Sequence, residues 1–300
     1  MRVVVFGASG IQGAAQVKHL AYTEHEPVAV SRSPKPLEIN GRKIETAAVD
    51  FNDTAAVNKV VQGADRVLVN LPSTSFNPDG PVLDAAKAIG GACKAAKVPL
   101  IVFNTSMPVP ETTQDIKAQD DRREMRRMLR DTGVPVISIQ PVSYLDNLLE
   151  GWALPPIRDR NTVVYCHKPE LEVSWICHED NAKLMVAAME RPELAGRNFA
   201  VGGPETVRLH ELAAKLGNAW GREMKHEYQT IPDFCDKISQ TMAGRGLDTD
   251  RIVRQMFKAY TYYNETPEFK IDMGSVLKEL PVTLTPIEQW AKTHRPQGWD

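Results

Sequence analysis

The start of the chain places a glycine-rich turn between a predicted strand and a predicted helix. Val3-Val4-Val5-Phe6 is a β-branched apolar run, which is typical of a strand buried on both faces. It leads into Gly7-Ala8-Ser9-Gly10-Ile11-Gln12-Gly13, which has GxxGxxG spacing, and a helix is predicted over 11–22. Glycine at these positions permits a tight turn, a close approach of the backbone to a pyrophosphate and close packing of helix on strand. The sequence therefore predicts a phosphate site at a helix N-terminus, with a plain glycine-rich turn as the alternative.

Strand-like and helix-like segments continue to alternate as far as about residue 140. Further strands are predicted at 27–30, 44–49, 66–69, 100–103 and 134–139, and helices at 53–61, 81–96 and 115–130. Alternation of this kind indicates βαβ units, in which a parallel sheet carries helices on both faces.

The pattern changes near Gln140-Pro141, after which prolines, aromatic residues and mostly helical segments follow. The predicted fold class is therefore α/β, a Rossmann-like doubly wound parallel sheet with a smaller, mostly helical C-terminal substrate lobe. Residues 1–150 are predicted to form the nucleotide-binding domain and residues 151–300 the substrate lobe. A helix and a strand predicted within 178–203 are expected to return to the Rossmann-like sheet.

Composition excludes several classes of protein. The chain has 300 residues, and 36 Lys plus Arg against 38 Asp plus Glu give a net charge of −2, which argues against nucleic acid or an anionic membrane as a partner. No apolar run approaches the roughly 20 residues that a membrane helix needs, and the N-terminal apolar run is too short for a secretory signal. The 4 cysteines form no CxxC motif, so we expect free thiols in a reducing cytoplasm.

The end of the second predicted strand indicates which cofactor is bound. An NAD site places Asp or Glu there, about 20 residues beyond the glycines, to bind the ribose 2′-hydroxyl. This chain has Ser31-Arg32-Ser33 and then Lys35, with no acidic residue. Because an arginine can bind a 2′-phosphate with its fork and stack on adenine, NADP(H) is predicted over NAD(H). The alternative for Arg32 is an exposed arginine in a surface loop.

Other strand ends add predicted cofactor contacts, because ligands of such sheets lie beyond the carboxyl ends of the strands. Asp50-Phe51 is expected at the adenine edge, and Asn70-Leu71 where the ribose or pyrophosphate passes, with ordinary loop structure as the alternative for both. The complete set of predicted cofactor-binding residues is Gly7, Ser9, Gly10, Ile11, Gln12, Gly13, Arg32, Lys35, Asp50, Phe51, Asn70, Leu71 and Asn104.

These segments together resemble the NmrA-like branch of the atypical short-chain dehydrogenase/reductases. The resemblance lies in GASGIQG, SRSP, VDFND and NTSMP, and later in QPVSYLDN, WICHEDNA and FAVGGP; it covers essentially the full chain and is most specific in residues 1–150. It implies a Rossmann-like domain, a C-terminal substrate lobe and NADP(H) as cofactor. The family includes quinone, triphenylmethane-dye and isoflavone-type reductases, and also regulators that bind NADP without turning it over.

The catalytic residues depart from the pattern of short-chain dehydrogenases. Those enzymes usually use Tyr-x-x-x-Lys after strand five, whereas this chain has no tyrosine between Tyr22 and Tyr144, and Leu148 stands where the lysine would follow Tyr144. NmrA-like reductases often carry a lone lysine in the helix after strand five. The equivalent position here is near Arg122, and Lys117 is the lysine of that predicted helix. Arginine is not a general acid at neutral pH, but it can stabilise a developing oxyanion.

The predicted catalytic residues are Tyr144, Lys117, Ser106 and Thr105. Thr105 and Ser106 follow strand five, where a hydroxyl can bond the substrate oxygen or the nicotinamide amide; a simple strand-end turn is their alternative. Tyr144 is a proton donor if its loop turns it inward, and aromatic packing is its alternative.

Three other features are interpreted as structural. Cys166-His167 and Cys177-His178 do not predict a metal site, because neighbouring side chains of a strand point to opposite faces. The charged run over 120–127 is interpreted as a solvated helix face. A group of apolar and aromatic residues is expected either to line a substrate pocket or to form the core of the lobe: Trp152, Leu154, Pro155, Trp175, Phe234 and Phe257.

The sequence is compatible with two functions. The first is an NADPH-dependent reductase that transfers hydride to a small, aromatic or quinone-like carbonyl or conjugated acceptor. The second is an NADP(H)-binding redox sensor that regulates a partner protein without turnover. A homodimer is compatible with either function.

Overall fold

The computed structural model describes residues 1–74, 81–149, 151–242, 248–296 and 298–299, and for residues 241 and 242 the backbone alone. Within these ranges the strands are β1 (Arg2–Phe6), β2 (Glu26–Ser31), β3 (Leu37–Ile39), β4 (Arg42–Ala48), β5 (Arg66–Asn70), β6 (Ile101–Asn104), β7 (Val136–Pro141), β8 (Ser143–Tyr144), β9 (Thr162–Tyr165), β10 (Trp175–Ile176), β11 (Asn198–Val201) and β12 (Lys225–Tyr228). The α-helices are α1 (Ile11–Ala21), α2 (Thr54–Val60), α3 (Val82–Ala95), α4 (Lys117–Asp131), α5 (Leu154–Arg160), α6 (His178–Met189), α7 (Leu209–Trp220), α8 (Ile231–Met242), α9 (Thr249–Glu265), α10 (Met273–Glu279) and α11 (Ile287–Thr293).

The main sheet has eight strands in the order β11-β7-β6-β5-β1-β2-β4-β3. All of its pairings are parallel except that of β3 with β4. The chain runs outward in one direction from β1 to β2 and β4, and in the other from β5 to β6 and β7. The strand order therefore reverses between β1 and β5, which is the switch point where such sheets bind ligands. The predicted doubly wound α/β fold is confirmed.

Strand β1 shows why its apolar run is continuous. Val3 and Val5 pack into a core on one face of the sheet, with residues of α1 and α6. Val4 and Phe6 pack on the other face, with residues of α2 and α3. Successive side chains of a strand point to opposite faces, so a strand covered by helices on both sides is apolar at every position.

The antiparallel β3–β4 hairpin was not predicted. Asn40 and Gly41 connect its strands, and both have left-handed backbones, with φ values of 53° and 70°. An Asn-Gly pair between short strands is the strongest local signal for a two-residue hairpin turn. The sequence therefore contained the signal, and the prediction of a strand only from Ile44 onward missed it.

Two helix ends carry the residue types that local chemistry favours there. Asp53 precedes α2, and its carboxylate accepts hydrogen bonds from the backbone N–H groups of Ala55 at 3.0 Å and Ala56 at 3.1 Å. Gly133 lies just beyond α4 with a φ of 83°, the left-handed conformation that commonly ends a helix.

The charged face of α4 is not fully solvated, which corrects the interpretation of the run over 120–127. Arg122 is 1% exposed and Arg126 is 3% exposed. Nη2 of Arg122 donates to the backbone oxygen of Leu71 at 2.8 Å, and Arg126 pairs with Glu111 at 2.8 Å. Helical spacing alone does not show that partners from other elements cover this face.

The C-terminal half contains a third core, built by α5, α7, α8, α9 and α11 with β9 and β10. Trp175 and Phe234 are buried in that core, whereas Phe257 is exposed on α9. The core interpretation therefore holds for Trp175 and Phe234, and neither of the predicted roles fits Phe257. β11 pairs with β7 in the main sheet, so the chain returns to the nucleotide half before α7. The domain boundary at residue 150 stays a prediction.

Across the described residues, every helix is either too short or too polar to cross a bilayer.

Candidate functional site

One continuous cleft of about 620 Å³ opens at the switch point and extends into the C-terminal lobe. Its nucleotide end is formed by residues at or beyond the ends of β1, β2, β4 and β5: Gly7, Ser9, Gly10, Ile11, Gln12, Gly13, Ser31, Arg32, Phe51, Asn70, Leu71, Pro72 and Ser73. Its middle is formed by Ser106, Met107, Ile116, Ala118, Arg122, Val142, Ser143, Tyr144, Asn147, His178, Gln255, Met256 and Ala259. We call the remaining stretch the lobe end, and it consists of Tyr165, His167, Tyr260, Tyr263 and Phe269.

The glycine turn is fixed by close contacts that only glycine tolerates. A Cβ atom on Gly7, whose φ is 78°, would lie 2.3 Å from the backbone oxygen of Asn70. A Cβ atom on Gly13 would lie 2.3 Å from the backbone oxygen of Gly7. The N–H groups of Gly7 and Ala8 each donate to the backbone oxygen of Val30 at 3.1 Å, which ties the turn to β2. The turn and the N-terminus of α1 are thus held rigidly at the mouth of the cleft.

The residues at this mouth fit a dinucleotide. The first N–H groups of a helix have no partner within the helix, so the start of α1 presents donors and a positive dipole end to a phosphate. Ile11 is 62% exposed there although it is apolar, and it lines the cleft. A bound dinucleotide would cover Ile11 and satisfy the free N–H groups, whereas a plain turn explains neither feature.

Side-chain amides connect the turn to the ends of β5 and β6. Gln16 and Asn70 exchange two hydrogen bonds of 2.8 Å, and Asn104 Nδ2 donates to Asn70 Oδ1 at 2.9 Å. Gln12 Oε1 accepts from Asn104 Nδ2 at 2.5 Å and from the Ser106 hydroxyl at 2.9 Å. The buried Asn104 and Asn70 therefore position Gln12 and Ser106, which line the cleft.

Ser106 and Thr105 have different surroundings. Ser106 has a φ of 62°, which is rare for a residue with a side chain, and its N–H donates to Asn104 Oδ1 at 2.9 Å. Strained backbone of this kind concentrates at functional sites. Thr105 is fully buried behind the cleft wall, and its hydroxyl donates to the backbone oxygen of Met107 at 2.6 Å. The structure therefore brings Ser106 to the cleft and leaves Thr105 with a turn-forming contact.

At the adenine end, Arg32 and Phe51 line the cleft. Arg32 is exposed and makes no hydrogen bond or ion pair to another described residue. Phe51 packs its ring edge-on against Phe6, with ring centroids 5.4 Å apart. Asp50 lies outside the cleft lining and accepts from the N–H of Asn52 at 3.0 Å, and the exposed Lys35 also lies outside it.

Tyr144 lies inside the cleft and is 5% exposed. Its hydroxyl oxygen accepts from Asn181 Nδ2 at 3.2 Å, and its ring packs on the imidazole of His178 with centroids 4.1 Å apart. Burial raises the pKa of Tyr144 well above its usual value, Asp146 raises it further, and Asn104 and Arg122 oppose the change. The phenol is therefore protonated at neutral pH, which is the form that donates a proton.

Arg122 is a buried cation beside Tyr144. Within the described residues it forms no ion pair: Nη2 donates to Leu71 O, Nη1 lies 3.6 Å from the sulfur of Met125, and Nε has no partner. Burial lowers the pKa of Arg122 to about 10, against an opposing effect of Asp121. The guanidinium stays charged at neutral pH, and a negative charge that develops in the cleft would be attracted to it.

Lys117 is not brought to the cleft. It begins α4, and its ammonium group binds both carboxylate oxygens of Asp121 at 2.9 and 3.0 Å. Asp121 also accepts from the hydroxyl of Thr74 at 2.6 Å. Lys117 is thus held in an ion pair at the side of the helix. Arg122, the residue after Asp121, lines the cleft instead.

The aromatic residues of the lobe end were not identified from the sequence as a pocket. They come from β9 and α9 and from the segments that follow β9 and α9, so contacts across the whole C-terminal half bring them together. The Tyr260-Tyr262-Tyr263 cluster was a visible signal, but its residues are spaced as a packing stripe would be. Helical spacing does not distinguish core from pocket lining.

No metal centre is indicated among the described residues. The cysteines are free and buried, and His167 and His178 lie among aromatic rings. Ligand atoms of Asp146, Glu179 and His294 approach within 4.8 Å of one another. However, Asp146 accepts from the His178 N–H at 3.0 Å and Glu179 pairs with Lys18 at 3.6 Å, so both carboxylates already have partners.

We expect His167 to make the fold acid-sensitive. Burial lowers the pKa of His167 to about 3, whereas the unfolded chain titrates near 6.5. Its contribution is therefore fully present above pH 6.5 and is lost as the pH falls toward 3, because only the unfolded state then binds the proton. The free energy of unfolding should fall by about 1.4 kcal/mol per pH unit from this group.

The check is urea denaturation of the wild type and of His167→Phe at pH 6.5 and pH 5. Between these values the wild type should lose about 2 kcal/mol more than the variant. Equal losses in the two proteins would contradict a neutral, buried His167.

Comparison with known proteins gives one family and several relatives. The NmrA-like family matches residues 1–291. A (4-alkanoyl-5-oxo-2,5-dihydrofuran-3-yl)methyl phosphate reductase of Streptomyces griseus subsp. griseus is 29% identical over 228 residues, which are 75% of this chain and 76% of the relative. An NAD(P)H azoreductase of Xenophilus azovorans is 28% identical over 248 residues, 82% of each chain.

Solved structures share the fold. The NADPH-dependent quinone oxidoreductase QOR2 of Escherichia coli, complexed with NADPH, has a TM-score of 0.74 and 19% identity, and the match covers 98% of this chain and 99% of that one. The negative transcriptional regulator NmrA has a TM-score of 0.74 and 16% identity, with 99% and 95% covered. The same fold thus occurs in a reductase and in a regulator.

Proposed function

The chain belongs to the NmrA-like family, and from that premise we propose that it is an NADPH-dependent reductase of planar, aromatic or quinone-like acceptors. The observation that carries the proposal is the single cleft that joins the glycine turn to Tyr144 and Arg122. It offers a dinucleotide site at one end, and a proton donor and a buried cation in the middle. Curated relatives that match most of this chain are reductases, and one of them uses NAD(P)H.

The nucleotide end fits NADP(H) in three respects. The start of α1 presents free N–H groups to a pyrophosphate, and Phe51 offers an aromatic surface. Arg32, which has no partner among the described residues, can bind a 2′-phosphate. The cofactor, when bound, supplies a hydride from C4 of its nicotinamide ring, and the protein supplies binding, orientation and electrostatics.

Tyr144 and Arg122 take the roles that a Tyr-x-x-x-Lys pair has in short-chain dehydrogenases. Reduction of an acceptor by hydride leaves a negative charge on its oxygen or nitrogen, and Arg122 stabilises that charge while it develops. Tyr144 then donates its phenolic proton to the same atom, and solvent restores the proton. Because Asn181 donates to the hydroxyl oxygen of Tyr144, the proton of that hydroxyl is left for the substrate. Ser106, which follows β6, and Gln12, in the glycine turn, are hydrogen-bonded to each other and orient the cofactor and the acceptor.

The acceptor follows from the chemistry of the lining. The lobe end is aromatic, which suits a planar ring system, and the described lining residues contain no acidic side chain. The cysteines, free thiols in the described part of the chain, agree with a cytoplasmic location.

The test is oxidation of NADPH by the purified protein. We expect nicotinamide absorbance to fall with quinones and azo dyes and much more slowly with aliphatic aldehydes. NADPH affinity, measured by its fluorescence, should be tight in the absence of any acceptor. Tight binding of NADPH without oxidation across the whole set of acceptors would contradict the reductase.

That outcome would favour an NADP(H) sensor instead. The observation in favour of a sensor is the absence of a lysine near Tyr144 among the described residues of the cleft lining. The regulator NmrA shares the fold, so the fold does not decide between the two functions. A regulatory protein partner and a homodimer stay predictions.

A further inference from the structure

His167 is a polar side chain enclosed by aromatic rings at the lobe end of the cleft. It is 3% exposed. Its ring centroid lies 4.6 Å from that of Tyr165, and 5.5 Å from those of Trp175 and Phe269. Tyr260 follows at 6.4 Å. A histidine in such a position is surrounded by apolar faces rather than by the carboxylates or carbonyls that usually orient it.

The imidazole is neutral and incompletely bonded. Its Nδ1 atom is buried and has no hydrogen-bond partner in the described part of the chain. Burial keeps the pKa of His167 near 3, so the ring carries no charge at neutral pH. A buried polar atom without a partner is unfavourable, and native proteins rarely leave one without a reason.

The rest of the lobe end is neutral as well. Tyr165, Tyr260 and Tyr263 line it with Phe269, and burial raises the pKa values of all three tyrosines, so they stay protonated. Hydrogen bonding with Asn147, Ser143 and Tyr260 opposes part of the rise in the pKa of Tyr165. The charged side chains of the described lining are Arg32 at the nucleotide end and Arg122 in the middle, so a charged group placed at the lobe end would find no counterion beside His167.

A hydroxyl group on an aromatic ring matches these surroundings. The hydroxyl is neutral, it is attached to a ring that can pack between the aromatic faces, and it can donate or accept a hydrogen bond. It can therefore bond His167 whichever ring nitrogen carries the proton. A carboxylate would be desolvated without a partner, and a methyl group would offer the imidazole no hydrogen bond.

We propose that His167 makes the lobe end a subsite for a neutral, ring-borne hydroxyl group, so that the protein selects hydroxylated aromatic ligands over their non-hydroxylated analogues. That these ligands are hydride acceptors rests on the proposed function. The subsite itself does not, because it can be tested with compounds that cannot be reduced.

The first experiment measures binding without turnover. Naphthalen-2-ol and 2-methylnaphthalene have the same ring system and similar size, and neither accepts a hydride. Their affinities for the NADPH-bound protein are measured by calorimetry in the wild type, in His167→Phe and in His167→Asn. The Phe variant keeps an aromatic ring without nitrogen, and the Asn variant restores a polar side chain at this position.

We expect the affinity ratio of naphthalen-2-ol to 2-methylnaphthalene to be about 10-fold higher in the wild type than in His167→Phe, with His167→Asn recovering part of it. Comparing ratios between variants cancels the different hydrophobicity of the two compounds. NADPH affinity, which depends on the other end of the cleft, should be the same in all three proteins and shows that each is folded. If His167→Phe does not fold, the affinity ratios of the wild type and His167→Asn still test the subsite, and the expected difference between them is smaller.

An unchanged ratio in folded variants would overturn the subsite, and a histidine with a merely structural role gives that result. The second experiment compares kcat/KM for the hydroxylated and methylated forms of one quinone in the same proteins. No turnover with either form, but a retained binding ratio, would reject the reductase and keep the subsite. Turnover with a ratio that is equal in the wild type and in His167→Phe would keep the reductase and reject the subsite.

Discussion

Replacing Tyr144 with Phe is expected to lower kcat for acceptor reduction by about 100-fold or more, because a positioned general acid contributes roughly 100- to 10,000-fold. The substitution removes only the hydroxyl. The ring would keep its contact with His178, whose centroid lies 4.1 Å away, so the wall of the cleft should stay intact. NADPH affinity should not change, because the residues of the glycine turn are untouched.

The measurement is steady-state kinetics with a quinone, together with a fluorescence titration of NADPH. Tyr165→Phe is the matched control, because Tyr165 is also a buried tyrosine of the cleft and lies at the lobe end. We expect Tyr165→Phe to affect KM more than kcat. An unchanged kcat in Tyr144→Phe would show that the proton comes directly from water, and Arg122 would then be the principal catalytic group.

The nucleotide end could be predicted from the sequence because its signals are local. The turn and Arg32 each follow directly from a buried strand, and Phe51 lies three residues beyond β4. A parallel sheet brings these strand ends to one edge. Local chemistry also fixes their roles, since glycine is required wherever a Cβ atom would collide with backbone, as at Gly7 and Gly13. Asp50 and Lys35 follow the strands from which cofactor contacts were expected, but they lie outside the cleft lining. The position of a residue in a loop does not show which way its side chain points.

The catalytic middle of the cleft could be predicted only in part. Tyr144 was identified, but its hydrogen-bond partner Asn181 was not, because Asn181 lies 37 residues further along the chain. Asn181 belongs to α6, which follows β10, and β10 pairs in parallel with the strand β8 that contains Tyr144. Arg122 was identified near the position of the family's lone lysine, but its burial was missed, because charged residues at helical spacing usually are solvated. Its burial depends on the backbone oxygen of Leu71, a contact made 51 residues away in sequence. Long-range packing of this kind leaves no periodic signal.

Replacing Arg32 with Ala is expected to weaken NADPH binding by about 10- to 100-fold and to leave NADH binding unchanged. One or two charge-assisted hydrogen bonds to a 2′-phosphate account for a loss of this size. Arg32 is exposed and has no partner among the described residues, so its removal breaks no contact of the fold. Its guanidinium is also conformationally free before binding, and ordering it opposes part of the gain, which favours the lower end of the range.

The discriminating quantity is the ratio of the NADPH and NADH dissociation constants, because damage to the glycine turn would weaken both cofactors alike. Lys35→Ala is the matched control, since Lys35 is also an exposed cation after β2 but does not line the cleft. We expect that ratio to change less than about 3-fold in Lys35→Ala, as a distant exposed charge is screened by salt. An equal effect of the two variants would mean that diffuse positive charge selects the cofactor. A ratio unchanged by Arg32→Ala would mean that this edge of the sheet does not bind the 2′-phosphate, and the preference for NADP(H) would then have to come from another part of the nucleotide end.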